Sequence, residues 1–101
     1  MRQSDSERIA EIMKIVNEIA SSVTEASRKA YPETGGKLRG AARTLIEHAN
    51  QNSHDIEELY DYLRNAKDYR LGETVDNEAT RLGARTLAQR WDEIKAIYYD
   101  P

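Results

Sequence analysis

The sequence predicts an all-α protein, and more specifically an antiparallel four-helix bundle in up-down-up-down order with short loops. Apolar residues recur at steps of three and four along nearly the whole chain, which is the spacing of a helix with one buried face. Two glycine-containing turns and one serine interrupt this spacing, so they separate four helical segments. A length of 101 residues fits one domain, which we expect to span residues 1–101.

The first helix is predicted over about residues 6–30. Ser4 or Ser6 is suitable as the residue that caps its start. Proline disfavours helical geometry in the residue before it, so Tyr31-Pro32 should end the helix. The apolar stripe consists of Ile9, Ile12, Val16, Ile19, Val23, Ala26 and Ala30.

The second and third helices are predicted over about residues 37–52 and 54–68. The turn Thr34-Gly35-Gly36 should precede the second helix, whose apolar face is rich in alanine. Ser53 is predicted to cap the third helix, and acidic residues in the first turn of that helix favour its start. The apolar positions of the third helix are Ile56, Leu59, Leu63 and Ala66.

The fourth helix is predicted over about residues 75–99, after a turn at Gly72. On a helical wheel, Ala84, Trp91, Ile94 and Tyr98 fall on the same side as Leu87. Leu82 falls about 140° away, so either this helix is enclosed on two sides or Leu82 is an exposed contact. Arg90 lies within the apolar arc. It is expected to reach solvent along its aliphatic stem, to pair with a carboxylate on another helix, or to contact a partner.

The composition excludes several kinds of chemistry. The chain has no cysteine, so disulfides, thiolate metal sites and a cysteine nucleophile are absent. The two histidines are six residues apart and neither follows a glutamate by three, which does not fit zinc or di-iron ligand spacing. We therefore expect no metal and no cofactor. No apolar run reaches the length of a signal peptide or a membrane span, so we expect a cytoplasmic protein without a membrane partner.

A nucleic-acid-binding regulator is an alternative that the basic residues leave open. Phosphate binding needs a contiguous positive surface. The basic residues of the second and fourth predicted helices alternate with acidic ones, and the net charge is −3, which makes such a surface harder to build. The residues concerned are Lys37, Arg39, Arg43, Arg81, Arg85 and Arg90.

The segment Arg43-Thr44-Leu45-Ile46-Glu47-His48 has an Arg-x4-His spacing. In this hexapeptide the chain resembles the HEPN family of all-helical ribonucleases. The resemblance implies metal-independent RNA cleavage by Arg43 and His48. The asparagine that often follows the arginine in that family is replaced here by Thr44.

The segment Glu57-Glu58-Leu59-Tyr60-Asp61 is acidic in the first turn of a predicted helix. It resembles one acidic element of the MazG-like nucleotide pyrophosphohydrolases, which implies magnesium-dependent release of pyrophosphate. Magnesium on a triphosphate needs several converging carboxylates, and the sequence shows no second element. Favourable interaction with the helix dipole explains the same residues.

The aromatic residues favour a non-enzymatic function in protein binding. Six tyrosines, one tryptophan and no phenylalanine mean that every aromatic side chain carries a polar group, which suits a half-dry, half-wet surface. We expect a small regulator or inhibitor that binds another protein or itself. If the third and fourth helices are adjacent and antiparallel, their aromatic residues can share one patch. The alternative is that Trp91, Tyr62 and Tyr98 cap the core while Tyr60 and Tyr99 are exposed to solvent. The predicted contact residues are Trp91, Tyr98, Tyr60, Tyr62, Leu82 and Arg90.

Overall fold

The computed structural model of the protein describes residues 4–69 and 73–99, which form five α-helices in chain order. These are α1 (Asp5–Ser27), α2 (Pro32–Asn52), α3 (Ile56–Tyr69), α4 (Glu73–Arg81) and α5 (Trp91–Tyr98). The prediction of an all-α protein is confirmed. The predicted number of helices is wrong, because the segment expected to form one fourth helix is divided into α4 and α5. The predicted turn at Gly72 lies outside the described residues.

Helix α1 is the central helix of the fold. It begins as predicted, since the Ser4 hydroxyl accepts a hydrogen bond from the backbone N–H of Glu7 at 3.2 Å. Ile12, Val16 and Ile19 on its apolar stripe are buried. Within the described residues α1 contacts each of the other helices, and its buried apolar residues belong to the same core cluster as theirs. The helix ends at Ser27, three residues before the predicted end.

Helix α2 begins five residues earlier than predicted. Pro32 occupies its first position, where a missing N–H costs nothing, and Tyr31 before it is extended as proline requires. The predicted turn at Gly35 and Gly36 is therefore wrong, because both lie inside the helix. Gly35 is buried, and a Cβ there would lie 2.8 Å from the Ser27 carbonyl oxygen. This glycine allows the start of α2 to approach the end of α1.

Helix α3 is capped by Asp55, and the predicted cap at Ser53 is wrong. The Asp55 carboxylate accepts hydrogen bonds from the backbone N–H groups of Glu57 at 2.9 Å and Glu58 at 3.0 Å. Ser53 instead follows the end of α2, where its hydroxyl donates to the Asn50 carbonyl at 2.8 Å. Ser53 and Asp55 both have short polar side chains, and their spacing to the apolar stripe does not tell which of them caps α3.

The predicted fourth helix breaks at Gly83. This residue has φ = 92°, in the left-handed region, and its N–H donates to the Thr80 carbonyl at 3.0 Å. The N–H of Ala84 donates to the Ala79 carbonyl at 2.9 Å. These two bonds form a Schellman motif with glycine at its left-handed position, which terminates α4. The half-buried Leu82 precedes this glycine and packs against the core.

The segment between α4 and α5 is held by two side chains. The backbone N–H of Arg85 donates to the Ser22 hydroxyl of α1 at 2.9 Å, and that of Thr86 donates to the Gln89 side chain at 3.1 Å. The second bond is half of a capping box, in which Thr86 and Gln89 occupy the positions that start a helical turn. The chain then enters α5 at Trp91.

The buried apolar residues form one cluster to which each helix contributes. Its largest fully buried side chains are Ile12, Ile19, Leu38, Leu45, Leu59, Leu63, Ile94 and Val16. In the described part of the chain, no helix combines the length and the apolar character that crossing a membrane requires.

Replacement of Gly83 by alanine should destabilise the protein by about 1–2 kcal/mol, because a Cβ is unfavourable at positive φ. The matched control is Gly40→Ala. Gly40 lies inside α2. Apart from its chain neighbours and the nearby backbone of α2 itself, no atom of residues 4–69 or 73–99 lies within 4 Å of the place that a Cβ would take, so this change should stabilise by about 0.5–1 kcal/mol. Urea unfolding of both variants measures the two signs. Stabilisation by Gly83→Ala would instead indicate a continuous helix through residues 75–99.

Candidate partner-binding surface

Four aromatic rings, one from α3 and three from residues 91–99, pack together. We call Tyr60, Trp91, Tyr98 and Tyr99 the aromatic surface. The Tyr60 ring stacks on Tyr98 with centroids 3.9 Å apart and planes 7° apart, and on Trp91 at 5.1 Å and 29°. Tyr60 thus lies between two residues that are two helical turns apart on α5. The expected sharing of one patch by the third and last helices is correct for these residues.

The rings of the aromatic surface differ in exposure. Tyr60 is buried, Trp91 and Tyr98 are half-buried, and Tyr99 is 63% exposed. The Tyr99 ring meets Tyr98 edge-on at 4.9 Å and 84°, and Tyr60 at 5.8 Å and 81°. Edge-to-face contacts of this kind are favourable aromatic geometries. An exposed ring is therefore held in one orientation by two less exposed rings. Tyr99 was not among the predicted contact residues.

Arg8 joins the start of α1 to the end of α5. It is only 4% exposed. Its Nη1 donates to the Tyr98 carbonyl oxygen at 2.5 Å, and its Nη2 donates to the Asp5 carboxylate at 2.5 Å. A positive charge at a helix C-terminus interacts favourably with the exposed carbonyls there. Arg8 is not among the residues predicted for the site, although it stands four residues before Ile12 and so on the apolar face of α1.

Arg90 joins the other end of α5 to α1. Its guanidinium forms two 2.8 Å hydrogen bonds to Glu93 and one of 2.8 Å to Glu18 of α1. The bonds to Glu93 and then to Glu18 raise the pKa of Arg90, and the bonds from Arg90 lower the pKa of Glu93. The structure shows the second of the three expectations for Arg90, which is pairing with a carboxylate on another helix. The predicted partner contact at Arg90 stays a prediction, and its guanidinium is already engaged.

The direction of α5 follows from these contacts. Arg8 of α1 meets Tyr98, and Glu18 of α1 meets Arg90, so α5 runs antiparallel to α1. The spans agree, because ten residues of α1 rise about 15 Å and eight residues of the α5 segment rise about 12 Å. The contact of Tyr60 with Tyr98 gives the same direction relative to α3, since Lys67 lies near Trp91.

Two of the predicted contact residues lie away from the aromatic surface. The Tyr62 ring lies 5.8 Å from the His48 ring of α2, and its hydroxyl is buried without a hydrogen-bond partner in the described residues. Burial raises the pKa of Tyr62. Leu82 packs against the core after the end of α4. Tyr62 lies two residues from Tyr60, about 200° around the helix, which places the two rings on different faces.

Charged groups stand at both ends of the aromatic surface. The Lys67 ammonium lies 5.2 Å from the centre of the Trp91 ring and 3.0 Å from the Asp68 carboxylate. Burial raises the pKa of Tyr98, and the carboxylates of Glu57 and Asp61 raise it further. One end of the surface therefore has the Lys67 ammonium beside it, and at the other end the charges of Glu57 and Asp61 raise the pKa of Tyr98 while Arg8 lowers it.

Most of the basic residues considered for nucleic-acid binding have acidic neighbours. Arg81 is hydrogen-bonded to Glu78, Arg85 lies 3.7 Å from Glu93, and Lys37 lies 4.0 Å from Glu33. Arg39 and Arg43 are exposed on α2 and, among residues 4–69 and 73–99, have no carboxylate within 4 Å. Local neutralisation weakens the positive field that attracts phosphates.

Arg43 and His48 do not form a visible pair. Both are exposed on α2, where a separation of five residues turns the side chains about 140° apart. The His48 ring contacts Tyr62 of α3. An imidazole and a guanidinium that act on one phosphate must face the same place.

The acidic segment at the start of α3 is engaged in local pairs. Glu58 lies 2.5 Å from His54, and Asp61 lies 3.1 Å from Arg64. Over the described ranges of the chain, no group of three or more histidine, aspartate or glutamate side chains is placed to hold a metal ion.

A small apolar cavity lies between α1, α2, α3, α4 and residues 86–88. Its volume is about 30 Å³, and alanine side chains form much of its wall. Cavities of this size hold about one or two water molecules. The cavity is too small to enclose an ordinary substrate.

Comparisons of the chain with protein-family models, with curated proteins and with solved structures found no match. What the protein does must be argued from its own residues.

The tyrosines of the aromatic surface should make stability fall at alkaline pH. Burial, and then neighbouring Tyr99, raise the pKa of Tyr60, and burial raises that of Tyr98. The neutral phenols are thus favoured in the fold. Their stabilisation is fully present below the unfolded pKa of about 10 and is lost as pH rises through the higher pKa of the folded state.

Urea unfolding at about pH 8 and about pH 10.5 measures this loss. Tyr98→Phe should lose less stability than the parent protein between the two values. Tyr31→Phe is the control, because the Tyr31 side chain is 84% exposed and lies outside the aromatic surface. An equal loss in the parent and in Tyr98→Phe would contradict the prediction.

Proposed function

We propose that the protein is a non-enzymatic binding module, a small regulator or inhibitor that contacts a partner protein through the aromatic surface. The observation that carries this proposal is the position of Tyr99, which is 63% exposed and yet packed edge-on against Tyr98 and Tyr60. An exposed aromatic ring without support loses rotational freedom when it binds. Tyr99 has already lost much of that freedom in folding, which lowers the cost of association.

The chemistry of the surface supports the same proposal. Tyrosine and tryptophan are enriched at the centres of protein interfaces, because they offer a large apolar area together with a hydrogen-bonding group. Trp91, Tyr98 and Tyr99 present such groups over one short segment. Tyr60 lies beneath them and contributes by fixing their orientation.

The scaffold suits this task. Arg8 and Arg90 attach both ends of α5 to α1, so the surface is carried on a fixed element. Short connections at residues 28–31 and 53–55 favour an up-down order of α1, α2 and α3, which we include in the proposal as the frame that holds α5.

The test uses the full chain, tagged and exposed to lysate of the source cells with and without nuclease treatment. The parent and Tyr31→Ala should retain the same protein, and Tyr99→Ala and Trp91→Ala should lose it. Tyr31 is the matched control because it is also an exposed tyrosine and follows the far end of α1. Circular dichroism of each variant checks that the helices remain.

Equal retention by Tyr99→Ala and the parent would contradict the proposal. Sedimentation of the purified protein tests whether the partner is a second copy of the chain. A dimer that Tyr99→Ala abolishes would support the same surface with self-association as its function. Retention of nucleic acid alone, unaffected by changes on α5, would move the function to Arg39 and Arg43 of α2.

A further inference from the structure

The end of the aromatic surface near Trp91 already binds a cation. The Lys67 ammonium lies 5.2 Å from the centre of the Trp91 ring, within the range of a cation–π interaction. The Asp68 carboxylate lies 3.0 Å from the same ammonium. The Trp91 ring and the Asp68 carboxylate thus both interact with the Lys67 ammonium. All three groups belong to this chain.

The other end of the aromatic surface also has aromatic rings and carboxylates, but the basic side chains near it are engaged in other contacts. Glu57 and Asp61 lie three residues before and one residue after Tyr60 on α3, and the Tyr60 ring stacks on the Tyr98 ring at 3.9 Å. The charges of both carboxylates raise the pKa of Tyr98. Asp61 is 3.1 Å from Arg64, whereas no basic group lies within 4 Å of Glu57 in the described part of the chain. Arg8 is near, but it is 4% exposed and its Nη atoms are bonded to Asp5 and to the Tyr98 carbonyl.

We infer that the end of the aromatic surface formed by Tyr98, Tyr99 and Glu57 binds a cationic side chain, arginine above all, from a basic segment of a partner protein. This inference rests on the proposed function and specifies its partner. A guanidinium stacks on an aromatic face while it donates to a carboxylate, so one arginine satisfies both features of the site. A lysine matches the charge but has no planar group to stack.

The electrostatics of the protein favour a basic protein over a nucleic acid at this site. The Glu57 carboxylate, which has no basic group within 4 Å in the described part of the chain, would repel phosphates, which need positive surfaces. The chain as a whole has a net charge of −3, so a basic partner is attracted over a longer range than the contact itself.

The probe is a short capped peptide of alternating arginine and glycine, with a peptide of citrulline and glycine as its neutral match. Citrulline keeps the planar group and removes the charge. Trp91 is the only tryptophan of the chain, so its fluorescence reports binding without a label. The arginine peptide should bind at low salt at least about tenfold more tightly than the citrulline peptide, and added salt should weaken it.

Two substitutions locate the peptide. Glu57→Gln should weaken binding of the arginine peptide about three- to tenfold, and Tyr99→Ala should weaken it by more. Glu33→Gln is the matched control, because it removes the same charge from the first turn of α2, at the opposite end of α1. It should leave the affinity unchanged. Tyr99→Phe keeps the ring and should bind the peptide.

The outcomes separate this inference from the proposed function. Equal binding of the two peptides, no binding of either, or binding that ignores both Glu57→Gln and Tyr99→Ala overturns the inference. In each of those cases a partner protein that is still lost by Tyr99→Ala leaves the proposed function intact. Peptide binding at Tyr99 together with partner retention by Tyr99→Ala overturns the proposed function instead.

Discussion

The docking of α5 on α1 is the interaction that positions the aromatic surface. Helix α5 has eight residues, and an isolated helix of that length is unstable in water, because nucleation costs more than so few hydrogen bonds return. It is folded here because Ile94 is fully buried and because Arg90 and Arg8 tie its two ends to α1. Arg90 donates to Glu93 of α5 and to Glu18 of α1. Arg8 of α1 donates to the Tyr98 carbonyl at the end of α5.

The geometry of the aromatic surface follows from that attachment. The antiparallel direction of α5 places Tyr98 beside Tyr60 and Trp91 beside Lys67. Reversal of the direction would exchange these neighbours and would place Tyr99 far from the acidic start of α3. The exposed ring, its two supporting rings and the carboxylate of Glu57 are therefore products of how α5 docks, and no single helix contains the site.

The sequence predicts a large part of this fold, and its failures have physical reasons. The apolar stripe of α1 and the Ser4 cap follow from local spacing, and both are correct. Pro32, which is expected to end the first helix, starts α2 instead, and Gly83, which falls inside the predicted fourth helix, ends α4. A glycine within an apolar pattern is compatible with a continuous helix or with a left-handed cap. The choice is made by tertiary contacts such as the bond from Arg85 to Ser22.

The sequence predicts only part of the site, because contacts between distant residues decide the rest. Aromatic composition points to Trp91, Tyr98 and Tyr60, which do meet, but a helical wheel for residues 75–99 cannot represent a broken segment. Arg8 and the engagement of Arg90 depend on contacts between residues more than seventy positions apart in the chain, which periodicity does not report.

Amide hydrogen exchange of α5 tests the central claim, that this short helix is held in place by α1. The informative amides are those of Ile94 and Tyr99, which donate to the carbonyls of Arg90 and Lys95. They should exchange almost as slowly as the amide of Val16 in α1, and Arg8→Met should accelerate them while Val16 stays protected. Exchange of Ile94 and Tyr99 at the rate of an unstructured peptide in the parent protein would contradict the account.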